Sequence, residues 1–293
     1  MIKTKSYLVE FSVSQICTHW GLSRQGYYQA LKRQYLKSLQ EDIILELVRD
    51  QKRLLPNSGG VKMLHLIRSD LARMNIDIGR DRFFKLLKDN DLLVKRKKKY
   101  VYTTNSNHPF KVYTNLVQNL KVRQVYQVLV ADITYIRTLE GFLYLALITD
   151  QFSRKIIAWD LSDSLELEGC LRALKKALKP IPKNWAKTKK CFHHSDRGSQ
   201  YCSYAYTDYL KKYHFGISMA AAGNCYENAI AERVNGILKT EFELDQNFKS
   251  KVIALKAVSN AIKLYNTKRP HRSLELKTPA MVFKSNFNEP FCF

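Results

Sequence analysis

Three carboxylates in the sequence have the type and setting for metal-ion chemistry. Asp132 stands in the middle of Val-Leu-Val-Ala-Asp-Ile-Thr-Tyr-Ile, a run in which both strand faces read as buried. An ionised carboxylate in such a place is costly unless something cationic meets it. Asp196 stands in His-His-Ser-Asp-Arg-Gly-Ser-Gln-Tyr, directly after an expected short strand at 191–194. Ligands in open α/β sheets gather at strand ends, and Gly198 would let the backbone approach a phosphate. Glu232 falls on an expected helix, where Asn228, Glu232, Asn235 and Lys239 share one stripe at i, i+4, i+7 and i+11. A buried strand, a strand end and a facing helix could bring the three carboxylates together on two divalent cations. Plainer roles are open for each: an Asp132 satisfied by a backbone amide or an Arg, a turn-forming Asp196, and a polar stripe that only meets solvent.

Two other chemistries are weaker. Ser195, His194 and Asp196 suggest a hydrolase triad, but sequence neighbours point different ways and there is no Gly-x-Ser-x-Gly elbow. Cys191, His193, His194 and Cys202 contain zinc-ligating types at a spacing that matches no familiar zinc pattern. The six cysteines include no Cys-x-x-Cys, which argues against a disulfide framework or zinc knuckle and for a reducing cytoplasm.

The elements that must position the carboxylates read as an α/β sheet. Val128 to Ile136, Phe142 to Asp150 and Lys155 to Leu161 are apolar or β-branched runs at hairpin spacing, an expected antiparallel meander. A helix from Leu165 to Leu178, a strand Cys191 to His194, a helix Tyr204 to Tyr213, a strand near Ile217 and a helix from about Glu227 to Glu241 complete the order βββαβαβα. On that last helix Ala229, Ile230, Val234, Ile237 and Leu238 are expected to pack on the sheet. A further helix spans Lys251 to Tyr265, before a turn at Asn266 to Pro270.

The N-terminal part reads as all-helical. Residues 14–33 have the outline of a helix-turn-helix, with a turn at Gly21 and Leu22, Ser23 as N-cap, and Arg24, Lys32 and Arg33 available to DNA; an ordinary helical hairpin is the alternative. Helical patterns follow at Ile43 to Arg53, Val61 to Met74 and Arg80 to Lys88, separated by Pro56, Gly59 and Gly60 and by the turn from Asn75 to Gly79. The 293 residues carry a net charge of +23, with pI near 9.7, an excess that points to a polyanionic partner. Between Asp91 and Asp132 there are no acids and eight bases, including Lys95, Arg96, Lys97, Lys98 and Lys99 with Tyr100 and Tyr102 interleaved, which suits a phosphate-tracking linker better than a merely solvated run. At 45% hydrophobic the chain can bury a core, and its longest apolar stretch, Phe142 to Ile148, is too short to cross a bilayer. With no apolar signal core near its start, it reads as a soluble, non-secreted protein.

With these residues in view, the chain resembles insertion-sequence transposases of the second-frame type, whose catalytic domain is the retroviral-integrase form of the RNase H-like fold. Asp132, Asp196 and Glu232 match the DDE triad, and the 35 residues between Asp196 and Glu232 match the spacing of that group. Matching segments include Asp132-Ile-Thr-Tyr-Ile, Asp150 with Phe152-Ser-Arg-Lys-Ile-Ile, His194-Ser-Asp-Arg-Gly-Ser-Gln-Tyr, Leu238-Lys-Thr-Glu, and Tyr265-Asn with Arg269-Pro-His-Arg-Ser-Leu. Departures are Leu129 where a Trp is common, Glu227 where an Asp is common, and Gly59-Gly60 where Tyr-Gly is usual; the zinc finger of a retroviral integrase is not reproduced by Cys17, His19 and His65.

The resemblance implies a five-part chain: a helix-turn-helix at 1–36, a second helical DNA-binding unit at 37–94, a basic linker at 95–123, an RNase H-like core with a mixed five-stranded sheet flanked by helices at 124–245, and a helical, basic extension at 246–293. It implies Mg²⁺-dependent cleavage and strand transfer with two ions per site, Mn²⁺ substituting, held by Asp132, Asp196 and Glu232. One ion would activate water or a DNA 3′-hydroxyl and the other would stabilise the leaving 3′-oxygen. Lys239 would contact DNA, with Asn228, Asn235 and Arg233 helping. The implied partners are double-stranded DNA at terminal inverted repeats and target, further copies of the chain, and an upstream-frame product; the implied setting is the bacterial cytoplasm, at the nucleoid when DNA-bound. A catalytically silent DNA-binding derivative and a general RNase H-like nuclease are the rival readings.

Overall fold

The computed structural model describes residues 12–94, 109–181, 185–221 and 228–287. The chain divides into a helical unit, Met1–Arg53 with Leu66–Leu93, and a larger α/β unit, Leu54–His65 with Val94–Phe293.

In the helical unit, α1 (Val13–His19) opens with a capping box: Ser12 Oγ accepts from the Gln15 amide while the Gln15 side chain accepts from the Ser12 amide. Gly21, at φ +64°, makes the turn, and Ser23 Oγ accepts from the Gly26 amide at 2.9 Å as α2 begins. The second helix does not stop near Arg33. It runs unbroken as α2 (Arg24–Leu54), because no glycine or proline interrupts the chain between Gly26 and Pro56. Ile44, Leu45 and Val48 of α2 are buried, as are Ile67 and Leu71 in α3 (Gly60–Arg73) and Phe83, Leu86 and Leu87 in α4 (Arg80–Asp89). Asn75, at φ +55°, ends α3 in the left-handed conformation that asparagine tolerates, and Arg82 pairs with Glu41 at 3.1 Å to join α4 to α2.

The α/β unit is built on one mixed sheet. Its strands are β1 (Val128–Thr138), β2 (Gly141–Asp150), β3 (Ile156–Ser162), β4 (Phe192–Ser195) and β5 (Gly216–Met219), in the order β3-β2-β1-β4-β5. The expected meander is present, with β1–β2 and β2–β3 antiparallel, whereas β4 runs parallel to both β1 and β5. A two-residue strand absent from the sequence reading, β6 (Asn247–Phe248), pairs with the end of β1 at Arg137 and Thr138. Gly141, at φ +112°, makes the first hairpin possible. Asp150, fully buried, fixes the second by accepting from the Tyr126 amide and from both the amide and hydroxyl of Ser153, at 2.6–2.7 Å.

Helices cover both faces, which is why β2 reads as an unbroken apolar run. Ala146 and Ile148 meet a core that includes Leu174 of α5 (Leu167–Leu178), Tyr201 of α7 (Ser199–Cys202) and Tyr206 and Leu210 of α8 (Tyr204–Lys212). Leu143, Leu145 and Leu147 meet the opposite core, with Val234, Ile237 and Leu238 of α9 (Ala229–Glu241) and Val258, Ile262 and Tyr265 of α10 (Lys251–Thr267). Three further helices were not expected from the sequence: α6 (Trp185–Lys189), α7, and α11 (Pro279–Phe287). Two are only about one turn long, too short for a helical period to register. Of the helix-facing residues expected on the sheet, Ala229 is instead exposed, and Ile230 is half-buried. No described helix is long and apolar enough to cross a membrane.

Leu174, with no exposure, lies where α5 meets the sheet. Leu174→Ala should lower stability by about 2–5 kcal/mol, read from urea unfolding of the whole chain.

Candidate active site

Two of the three carboxylates are brought level by strand register. β4 pairs with β1 only through Val128–Phe192, Leu129–His193 and Val130–His194. Two residues beyond the last pair on each strand stand Asp132 and Asp196, so the register that aligns Val130 with His194 also aligns the carboxylates. β6 meets β1 only at Arg137 and Thr138. Between these contacts, among the described residues, β1 has β2 on one side and no strand on the other. A cleft of about 490 Å³ opens here, lined by Asp132, Tyr135, Phe142, Asp196, Gly198 and Gln200.

Each aspartate is held by short hydrogen bonds. Asp132 Oδ1 accepts from the Ile133 amide at 2.9 Å, and Oδ2 accepts from Asn235 Nδ2 at 2.6 Å. Burial pushes its carboxyl up to about 7; the charge of Asp196 and, less, that of Glu232 add to the rise, while the two hydrogen bonds oppose it. Asp196 Oδ1 accepts from the Gly198 amide at 3.0 Å. A Cβ on Gly198 would stand 3.1 Å from both that oxygen and Gln200 Oε1, a tight approach that a larger residue would relieve only by shifting one of those side chains.

The stripe on α9 faces protein rather than solvent at two of its four positions. Asn228, the N-cap residue, is buried and donates to the carbonyl of Ala131, which has no β4 partner; Asn235 is buried and donates to Asp132. The amide oxygens Asn228 Oδ1 and Asn235 Oδ1 are both buried without a hydrogen-bond partner among the described residues. Buried acceptors of this kind call for a donor, and water molecules around a hydrated cation would supply it. Hard oxygens from carboxylates and amides suit Mg²⁺ rather than a softer metal. Glu232 is exposed in the first turn of α9 and does not line the cleft. Among the described residues no three His, Cys, Asp or Glu side chains form a preassembled cation cage. Lys239 Nζ rests 4.0 Å from the centre of the Tyr135 ring, and burial together with the Arg137 charge pulls its ammonium down.

This geometry belongs to a chain with recognisable relatives. The integrase core domain family matches at residues 122–225, and a second integrase core domain profile matches at residues 213–279. The insertion element IS600 uncharacterized 31 kDa protein of Shigella sonnei is 34% identical over 277 residues, covering 94% of this chain and 99% of that protein. The chain belongs to the insertion-sequence transposases with an integrase core. The transposase for insertion sequence element IS629 of Shigella sonnei is 28% identical over 282 residues, covering 95% of this chain and 93% of the relative. The HTLV-2 integrase catalytic core domain in complex with magnesium, trimeric form, gives a TM-score of 0.42 at 17% identity, covering 54% of this chain and 96% of that one. Membership gives this transposase a general role in DNA transposition.

The remaining sequence candidates are dispersed over the transposase. Arg233 lies on α9 but lines a second cavity, not the carboxylate cleft. Arg24 is exposed at the first position of α2, in the helical unit. Lys95, Arg96, Lys97, Lys98 and Lys99 lie outside the described residues. The zinc reading fails: Tyr206 contacts His193 Nε2 at 2.9 Å, Ser218 contacts His194 Nδ1 at 2.9 Å, and Cys202 meets Met219, so these side chains are engaged separately. The hydrolase triad fails too, since Ser195 Oγ donates to the Asp196 carbonyl. Sequence reasoning missed the contact of Lys239 with Tyr135, residues 104 apart in the chain, which only the packing of α9 on β1 creates.

The raised carboxyl has a sign that can be checked. With Asp132 at about 7 in the folded chain against an ordinary 3.8, the folded state holds the proton more tightly, so stability falls as pH climbs through that window. Asp132→Asn removes the penalty. In metal-free buffer its melting temperature should exceed the parent's by several degrees at about pH 8 and by little near pH 4; a gap that does not change with pH would contradict the assignment.

Proposed function

We propose that this transposase catalyses Mg²⁺-dependent strand cleavage and strand transfer at the ends of its own element, through Asp132, Asp196 and Glu232. The observation that carries the reading is the β1–β4 register, which sets Asp132 and Asp196 level at one cleft, where their mutual repulsion and the burial that raises the Asp132 carboxyl both favour the arrival of positive charge. Asp132 and Asp196 offer oxygens from the cleft, and Glu232, on the α9 turn between Asn228 and Asn235, is the third ligand. Two Mg²⁺ ions bound there, with Mn²⁺ able to substitute, would supply activation of a water or DNA 3′-hydroxyl and stabilisation of the leaving 3′-oxygen.

The protein's own groups do the positioning. Asn235 and the Ile133 amide fix both oxygens of Asp132, the Gly198 amide fixes Asp196, and Asn228 ties the start of α9 to β1. Lys239, held over Tyr135, offers its ammonium to a DNA phosphate beside the cleft. Arg24 and the run Lys95 to Lys99 contact DNA away from the reaction, and Arg233 does so from another face of α9. The five-part division at 36, 94, 123 and 245 assigns element-end recognition to the helix-turn-helix and second helical unit, phosphate tracking to the linker, and chemistry to the core. The active assembly is a multimer that pairs two ends, in the cytoplasm and at the nucleoid, and an upstream-frame product is a further partner.

A second reading is favoured by one observation: Glu232 stands exposed and outside the cleft lining, as it would in a DNA-binding derivative that no longer cuts. The two readings separate on a labelled element-end duplex with Mg²⁺. The wild type should cleave and join it, and Glu232→Gln should reduce both by about a thousand-fold or more, the scale of losing one member of a catalytic unit, while still binding the duplex. Binding without reaction in either chain would favour the silent derivative, and cleavage without joining a general nuclease.

A further inference from the structure

A second cavity, of about 370 Å³, lies within the α/β unit against the face of α9 that carries Arg233. Its lining includes Lys62, Arg154, Arg233, Arg269 and Arg272, five cations drawn from four separate stretches of chain. Glu241 engages two of them: Arg269 donates to both its oxygens at 2.9 and 2.7 Å, and Lys62 pairs with it at 2.8 Å. Arg154, Arg233 and Arg272 have no ion pair among the described residues. Against the five cations stand the carboxylate of Glu241 and, acting on Arg154, the charge of Asp150, which leaves a positive surplus that an anion in the space would offset.

Three further observations say that the space is made for an anion. Arg154 Nη1 is buried without an acceptor among the described residues, a rare condition for a guanidinium nitrogen. His271, 7% exposed, also lines the cavity, and its Nε2 is buried with no partner among the described residues. Burial first, and then the charges of Arg269 and Lys62, push that imidazole down to about 3, and burial with the Arg269 charge pulls the Lys62 ammonium down, with Glu241 opposing both. The apolar part of the wall, Ile230, Val234 and Ile237 of α9, suits a sugar beside a charged group. Planar guanidinium forks match phosphate oxygens in geometry as well as charge.

We propose that this cavity is a second phosphate site, gripping one backbone phosphate of DNA on a different face of α9 from the carboxylate cleft. The inference rests on the DNA-processing reading above and adds a binding locus to it. It gives a role to Phe152-Ser-Arg-Lys and Arg269-Pro-His-Arg-Ser, two segments that the carboxylate chemistry leaves unused. Arg233 follows Glu232 directly on α9, so a phosphate held by Arg233 would also restrain the turn that presents Glu232.

The test uses the full chain carrying Asp132→Asn, in EDTA, so that binding is read without chemistry. Affinity for duplex DNA is measured across salt for this parent, for Arg233→Gln with Arg272→Gln, and for a charge-matched control, Lys256→Gln with Lys263→Gln, on the exposed side of α10. All four substituted positions are exposed, and thermal unfolding should show each double variant melting no lower than the parent. The slope of log affinity against log salt should become shallower by about 0.9 for the arginine pair, the value for one lost phosphate contact, and stay near the parent value for the lysine pair. An unchanged slope for the arginine pair, or an equal change in the control, would overturn the proposal while leaving DNA binding intact. Loss of inorganic phosphate binding with an unchanged DNA slope would also overturn it, in favour of a free-anion site. If the parent bound no duplex at all, the DNA-processing reading would fall together with this one.

Discussion

Two aspartates held level, Asp132 within β1 and Asp196 just past the end of the parallel strand β4, repel each other, and much of the α/β unit is arranged around that repulsion. β4 stops at Ser195, one residue short of Asp196, and β6 joins β1 only from Arg137 onward, so the middle of β1 is left open where Asp132 stands. A longer β4 would have sealed that edge with backbone hydrogen bonds and placed the carboxylates in a closed sheet. Instead the charge faces a cleft, and the carboxyl of Asp132 is raised to about 7 by burial and by its neighbours.

α9 answers the gap that β4 leaves. Its apolar positions Val234, Ile237 and Leu238 sink into the core shared with β2 and α10, which orients the helix firmly. With that rotation fixed, Asn228 reaches the unpaired carbonyl of Ala131, and Asn235 reaches Asp132. Each spends its amide nitrogen on the strand and keeps a buried oxygen unsatisfied among the described residues. Such polar groups reduce the stability of an empty cleft and favour one that holds a hydrated cation. The same helix presents Arg233 to a cavity of the opposite charge character, so negative and positive surfaces are supported by one element.

Much of this was legible in the sequence because the signals are local. The β-branched run around Asp132 and the apolar run around Tyr144 marked the strands, since a strand covered on both faces needs no alternation. Gly21 and Ser23 marked the turn and the start of α2 through positive φ and capping, whereas the Ser12 capping box was not singled out. The stripe on α9 was also visible, but its exposure was not: spacing groups Asn228 with Glu232, yet only packing decides that the asparagines turn inward while Glu232 stays exposed. The continuity of α2 was missed because the largely polar stretch between Arg33 and Ile43 carries no clear apolar period to join the two helical patterns on either side, although nothing in it breaks a helix. The basic cavity escaped altogether, since Lys62, Arg154, Arg233 and Arg272 are far apart in the chain and meet only through tertiary packing.

The central claim is that Asp132, Asp196 and Glu232 form one cation-requiring group. Its most direct test is anomalous scattering from crystals of the full chain soaked in Mn²⁺. The account predicts a strong peak between the carboxylates of Asp132 and Asp196, with Glu232 turned in to complete the ligand set. Manganese bound elsewhere, with the cleft holding only water and Glu232 still facing solvent, would contradict it.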